Sequence, residues 1–79
     1  MTVNPFPSMK ARELLAVLSR SPLSYTVARR KGSHRTLVAD GRPTLRFAYH
    51  EGATCAPGVV KKILTEGAGL TEDEALDLL

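Results

Sequence analysis

Residues 34–50, HRTLVADGRPTLRFAYH, predict the β-hairpin at the centre of the fold. Both halves are rich in β-branched and alternating apolar residues, and Asp40-Gly41 between them is a hairpin turn signal. In the second half the alternation separates two faces. One face carries Leu45, Phe47 and Tyr49, and the other carries Thr44, Arg46, Ala48 and His50.

The length of the turn decides which side chains share a face. A three-residue turn pairs Leu37 with Leu45. That register places three polar side chains together: His34, Arg46 and His50. A two-residue turn shifts the pairing by one residue and moves His34 to the apolar face. The three-residue turn gives the better core, and we therefore expect it.

The segments before this hairpin predict another strand and a first helix. Residues 24–30, SYTVARR, are β-branched and aromatic enough for a strand. Residues 8–20 repeat apolar side chains at helical spacing, with Ser8 as the N-cap. Ser21-Pro22 ends this helix, because the residue before a proline is disfavoured in helical conformation. Residues 1–7, with two prolines, are expected to form an extended arm.

Two helices are predicted after the hairpin. Pro57 suits the first position of a helix over residues 57–67. Gly67 or Gly69 is expected to end it in a left-handed conformation. The apolar stripe of this helix consists of Val59, Val60, Ile63 and Leu64. Thr71 begins a capping-box pattern, TEDE, for a last short helix.

These elements predict an α+β fold of order αβββα. The three strands form one antiparallel sheet, two helices cover one of its faces, and a short C-terminal helix follows. This is also the order of the double-stranded-RNA-binding domain, although topology by itself does not assign a function. Residues 8–79 are expected to form a single domain.

Length and composition exclude several classes of protein. With 79 residues, the chain is too short for a large multi-substrate enzyme. Its single cysteine, Cys55, excludes an internal disulfide and a thiolate pair for zinc, so we expect a reducing cytoplasmic location and no metal or cofactor. No run of residues is long and apolar enough to span a bilayer, and no membrane partner is expected.

The net charge of +3 conceals a marked asymmetry along the chain. All eleven Lys and Arg residues lie before Thr71, together with only four of the eight acidic residues. Such a basic body indicates a polyanionic ligand. The alternative is that the surface charges only keep a small protein in solution.

Several short motifs, in order and spacing, resemble those of the HicA mRNA-interferase toxins, also called YcfA-like proteins. They are Lys31-Gly32-Ser33-His34, a histidine ending a strand at His50, Pro57-Gly58 followed by KKIL, and Ala68-Gly69-Leu70 before an acidic tail. The resemblance covers residues 8–78. It implies a toxin that cleaves mRNA, acts through the histidine of KGSH, and is silenced by a HicB-like antitoxin.

The residues around His34 suit cleavage of RNA without a metal. Such cleavage needs a base for the 2′-hydroxyl proton, cations for the charge that develops on phosphate, and a proton for the leaving oxygen. An imidazole titrates close to neutral pH, so His34 is the predicted base. Its neighbours are the predicted phosphate contacts: Arg30, Lys31 and Arg35, with the backbone amides of Gly32 and Ser33.

Other candidates have weaker support. Arg46 joins the site if the three-residue turn is present. His50 is either the group that protonates the leaving oxygen, a substrate contact, or a solvated residue of the loop. Lys61 and Lys62, near a helix N-terminus, either meet phosphate or form a solvated helical face. For His34 itself, the simplest alternative is an ordinary histidine at a strand edge.

Three functions remain open from sequence. The first is a metal-independent ribonuclease toxin with an antitoxin partner. The second is a non-catalytic RNA-binding module, in which His34 stacks or hydrogen-bonds but transfers no proton. The third is an interaction module whose basic face binds an acidic protein. We expect the first.

Overall fold

The computed structural model describes residues 5–48, 50 and 52–79. In these residues the chain forms an α+β fold around a three-stranded antiparallel sheet, as predicted. The elements in chain order are β1 (Met9–Lys10), α1 (Ala11–Ser19), β2 (Thr26–Lys31), β3 (His34–Val38), β4 (Leu45–Ala48), β5 (Thr54–Cys55), α2 (Pro57–Lys62), a π-helical turn (Ile63–Gly67) that continues α2, and α3 (Glu72–Asp77).

The sheet has the strand order β2-β3-β4, and the register between β3 and β4 is the one expected for a three-residue turn. Leu37 pairs with Leu45, and His34 pairs with Ala48. One face of this hairpin is therefore apolar and buried, while the other is polar. Tyr49, predicted on the apolar face, lies outside the described residues.

The helices pack on the apolar face and form the core with it. Fully buried leucines of α1, Leu14 and Leu18, belong to the same cluster as Leu37 of the sheet. Val60 of α2 and Leu64 of the π turn complete this layer. The two main helices thus cover one face of the sheet and leave the other open, an arrangement consistent with the double-stranded-RNA-binding-domain topology.

A β-bulge in β2 changes which side chains reach the open face. Val27 pairs with Leu37, but the next paired residue of β2 is Arg29, which lies opposite Thr36. Ala28 is the extra residue. In a regular strand Arg29 would share the buried face of Val27, since residues i and i+2 lie on one face. The bulge places it on the open face instead.

The N-cap of α1 is Lys10, and the prediction of Ser8 is wrong. The reason is a second, two-stranded sheet, in which Met9 of β1 pairs with Cys55 of β5. The Ala11 amide also donates to the carbonyl of Ala53 at 2.9 Å. These pairings hold the chain extended through Lys10, so the helix begins at Ala11.

The second main helix begins at Pro57, as predicted, but Val59 does not belong to its buried stripe. Val59 is 46% exposed, because Val60 and Leu64 set the buried side and Val59 lies about 100° around the helix from its neighbour. Gly69, with a φ of +79°, adopts the left-handed conformation that ends this segment.

The last helix, α3, has the predicted capping box. The Glu74 amide donates to the Thr71 hydroxyl at 3.2 Å, and the Thr71 amide donates to the Glu74 carboxylate at 2.9 Å. The hydrogen bond that the Glu74 carboxylate accepts from the Thr71 amide, helped by the Thr71 side chain, holds the pKa of Glu74 below its usual value. Two of the otherwise unpaired amides at the start of the helix are thereby satisfied.

The predicted N-terminal arm is described from residue 5 onward. Residues 5–7 have no regular secondary structure, but Phe6 is only 3% exposed and belongs to the core cluster. This part of the arm therefore packs against the domain.

Candidate nucleic-acid interface

The open face of the sheet carries two rows of side chains that run across the strands. Lys31, His34 and Ala48 form the first row, because each is paired with the next. Arg29, Thr36 and Arg46 form the second row in the same way. A shallow depression of about 310 Å³ lies over these rows, lined by Arg29, Lys31, His34, Arg35, Thr36 and Arg46.

The turn between β2 and β3 positions the histidine. Lys31 and His34 lie directly opposite each other, with only Gly32 and Ser33 between them. Gly32 has a φ of +59°, the left-handed conformation that favours glycine at the first central position of a two-residue hairpin turn. The Arg35 guanidinium donates to the Gly32 carbonyl at 2.8 Å and so braces the turn.

The electrostatics of the depression favour an anion. Four of the six lining residues are Lys or Arg, and none is acidic. The guanidinium groups of Arg29 and Arg46 make no hydrogen bond or ion pair within the described part of the chain. Their guanidinium groups are therefore available to a ligand, unlike that of Arg35. The positive charge and the imidazole meet on one exposed surface.

Three of the predicted phosphate contacts lie away from this depression. Arg30 pairs with Arg35 across the hairpin, so the alternation of β2 places it on the opposite face from Arg29 and Lys31. Lys61 forms an ion pair with Glu72 at 2.6 Å and belongs to the helix layer on the covered side. Lys62 is exposed on the same helix.

His50 also stands apart from the depression. It is exposed and follows β4, and its carbonyl accepts a hydrogen bond from the Ala53 amide at 2.9 Å. Among the described residues, those that line the depression do not include it. The register that brings His34 and Arg46 to one face thus does not bring His50 to the site.

Sequence reasoning missed Arg29 and Thr36. Thr36 carries no chemical signal, since a threonine in a strand is ordinary. Arg29 stands beside Arg30, and strand alternation allows only one of two neighbours to share the face of His34. Alternation counted from the half-buried Val27 assigns Arg29 to the wrong face, because the bulge at Ala28 lies between them and the composition of β2 does not reveal it.

Metal-ligating clusters and the single thiol are the other features of the described residues that bear on chemistry. No group of three or more His, Cys, Asp or Glu side chains within them is placed to hold a metal ion. Burial raises the pKa of the Cys55 thiol, which reduces its thiolate fraction and hence its reactivity. No helix in this part of the chain is long and apolar enough to cross a membrane.

Comparison with protein families gives a match over most of the chain. A family model described as the HicA toxin of bacterial toxin–antitoxin systems matches residues 11–70, which include α1, the whole sheet and α2. No curated protein and no solved structure matches the chain. Since the family model covers most of the sequence, including both rows of the open face, the chain belongs to the HicA toxin family.

Proposed function

We propose that this toxin is a metal-independent endoribonuclease that cleaves mRNA, with His34 as general base. The observation that carries the proposal is the position of His34 on the open face of the sheet. There the imidazole lies opposite Lys31 and beside the Arg29–Thr36–Arg46 row, in a depression whose described lining residues include no acidic side chain. An RNA strand can reach this surface because no helix formed by the described residues covers it.

In the proposed reaction His34 accepts the proton of a ribose 2′-hydroxyl. The 2′-oxygen then forms a bond to the adjacent phosphorus, and the bond from phosphorus to the 5′-oxygen breaks. The leaving 5′-oxygen takes a proton from water, which has access to the exposed depression, and the imidazolium returns its proton to solvent. The products carry a 2′,3′-cyclic phosphate and a 5′-hydroxyl. A general base of this kind contributes roughly 10²–10⁴ in rate.

The cations around His34 bind the RNA and stabilise the charge that develops on the phosphate. Lys31 is closest in the sheet, since directly opposed residues have Cβ atoms about 5 Å apart. Arg46 reaches the same face from β4. The backbone amides of Gly32 and Ser33 at the turn are proposed contacts for a neighbouring phosphate.

The partner in this proposal is a HicB-like antitoxin that covers the open face. A surface that presents carboxylates to Lys31, Arg29 and Arg46 competes with RNA and shields His34 by the same contact. We expect RNA and antitoxin to exclude each other, which competition binding with purified components measures. A ternary complex that still cleaves RNA contradicts inhibition by coverage.

The reaction is tested with two substrates of one sequence, in EDTA. Wild type is expected to cleave the unmodified RNA and to leave cyclic phosphate and 5′-hydroxyl ends. A strand with 2′-O-methyl ribose throughout is expected to bind but remain intact, because it lacks the attacking hydroxyl. Cleavage of the methylated strand, or 5′-phosphate ends, contradicts the mechanism.

One observation favours the second candidate, an RNA-binding module without catalysis. Of the six residues that line the depression, only His34 has a side chain of the type that commonly acts as an acid or base at neutral pH. The depression therefore holds a single such group and not a pair. Tight binding of unmodified RNA by wild type, with no cleavage on or off the ribosome, establishes this alternative.

A further inference from the structure

The second row of the open face has the features of a phosphate site. Arg29 and Arg46 flank Thr36 from opposite sides, and each is the direct cross-strand partner of that threonine. Neighbouring strands lie about 4.8 Å apart, so the backbones that carry the two arginines are separated by about 10 Å. Two long side chains can close this gap over Thr36 around one tetrahedral anion.

The guanidinium groups of this row suit a phosphodiester better than a cation that acts as a single point charge would. A guanidinium presents a planar fork of donors that matches two phosphate oxygens. Both forks are free of partners within the described residues. The half-buried threonine between them supplies a hydroxyl at the floor of the depression.

The position of His34 relative to this row fits the proposed reaction. His34 and Thr36 share one face of β3, two residues apart, so both arginines are diagonal neighbours of the histidine at about 7–8 Å. The cross-strand partner of His34 on β4 is Ala48, whose small exposed side chain leaves room for a ribose. The bound phosphate and the general base, His34, thereby occupy adjacent but separate positions on the open face.

We propose that the Arg29–Thr36–Arg46 row clamps the scissile phosphate between two guanidinium groups, with Arg29 as a catalytic residue. This deepens the proposed function and rests on it. The clamp compensates the negative charge that develops on the phosphate oxygens as the 2′-oxygen attacks. The clamp depends on the bulge at Ala28, because the bulge places Arg29 on the same face as His34.

Cleavage of unmodified RNA in EDTA by charge-neutralised variants tests the role of Arg29. Arg29→Gln is expected to lower the rate about 100-fold, the usual effect of removing one preorganised donor from a developing charge. The matched control is Arg12→Gln, which makes the same change in net charge at an exposed position of α1. This variant is expected to cleave at the wild-type rate. Arg30→Gln is expected to lose less activity than Arg29→Gln, because Arg30 lies on the other face.

Sharing of one phosphate is tested by binding of the 2′-O-methyl strand over a range of salt concentrations. The plot of log K against log salt has a negative slope. The double variant Arg29→Gln/Arg46→Gln is expected to make this slope shallower by about 0.7, the value for one phosphate of a single strand. Arg12→Gln is expected to leave the slope unchanged. A loss of about 1.4 would assign the guanidiniums to two phosphates and overturn the shared clamp.

The outcomes separate the clamp from the proposed function. If His34→Ala stops cleavage while Arg29→Gln and Arg12→Gln cleave equally, the clamp is wrong and the ribonuclease proposal stands. If wild type cleaves no RNA, the ribonuclease proposal and the catalytic role of Arg29 fail together. The salt slope then still decides whether the row holds a phosphate, and an unchanged slope in the double variant overturns that as well.

Discussion

At Gly32 a single backbone conformation determines where the imidazole of His34 points. Its φ of +59° allows Lys31 and His34 to pair across a two-residue turn. Space is not the constraint at this position, because a Cβ on Gly32 would meet no atom within 4 Å. The constraint is the left-handed backbone, which costs a residue with a side chain about 1–2 kcal/mol.

Alanine at Gly32 is therefore expected to destabilise the protein by about 1–2 kcal/mol. The matched control is Gly58→Ala, because Gly58 also has open space around it but lies in α2 with an ordinary φ. That change is expected to stabilise the helix by up to about 1 kcal/mol. Urea unfolding measures both, and equal effects of the two substitutions would contradict the backbone argument.

At the scale of elements, the sequence predicts those features that depend on several residues together. Alternation in β3 and β4, with a favourable turn between them, is enough to predict their register and thus the shared face of His34 and Arg46. The bulge in β2 depends on one extra residue, and β1 and β5 have two residues each, too few for a pattern. For this reason Arg29 and the true N-cap of α1 could not be predicted, whereas Thr36 was missed because a threonine in a strand carries no chemical signal.

Tyr25 joins three of these elements just before β2. Its amide donates to the Leu18 carbonyl of α1 at 2.9 Å, and its hydroxyl donates to the Pro43 carbonyl ahead of β4 at 2.8 Å. Burial raises the pKa of this phenol above its ordinary value. The positive charge of Arg42 lowers the pKa by a smaller amount. The folded state therefore keeps the phenolic proton to higher pH than the unfolded chain does.

The stability that Tyr25 contributes is expected to be complete below about pH 10 and to decline as the pH rises further. Tyr25→Phe is expected to cost about 1 kcal/mol at neutral pH, because the Pro43 carbonyl loses its donor. The variant has no phenol to ionise at this position, so its deficit should narrow above pH 10. Unfolding free energies measured from pH 7 to 11 test this, and a constant deficit would show that the phenol titrates normally.

At the scale of the whole molecule, packing and charge are divided between the two faces of the sheet. The helices bury one face, while Arg29, Lys31 and Arg46 collect around His34 on the other. The amphipathic patterns of the helices and of β4 make this division predictable. The burial of Phe6 was not predictable, because a lone aromatic between two prolines has no periodic neighbours.

The core position of Phe6 predicts that the N-terminal segment contributes to stability. Phe6→Ala is expected to cost about 3–5 kcal/mol, the usual range for removing a buried phenylalanine ring. Val59→Ala, at an exposed apolar position, serves as control and should change stability by no more than about 0.5 kcal/mol. Similar midpoints for wild type and Phe6→Ala in urea would mean that the arm packs only loosely against the domain.

The central claim is that His34 is the base of a metal-free ribonuclease, and cleavage of a long single-stranded RNA in EDTA tests it most directly. Wild type, His34→Ala and His50→Ala are compared, since both histidines are exposed and only His34 lies in the depression. We expect His34→Ala to melt and bind RNA like wild type while losing roughly 10²–10⁴ in rate. His50→Ala should retain cleavage. Equal cleavage by wild type and His34→Ala would contradict the account.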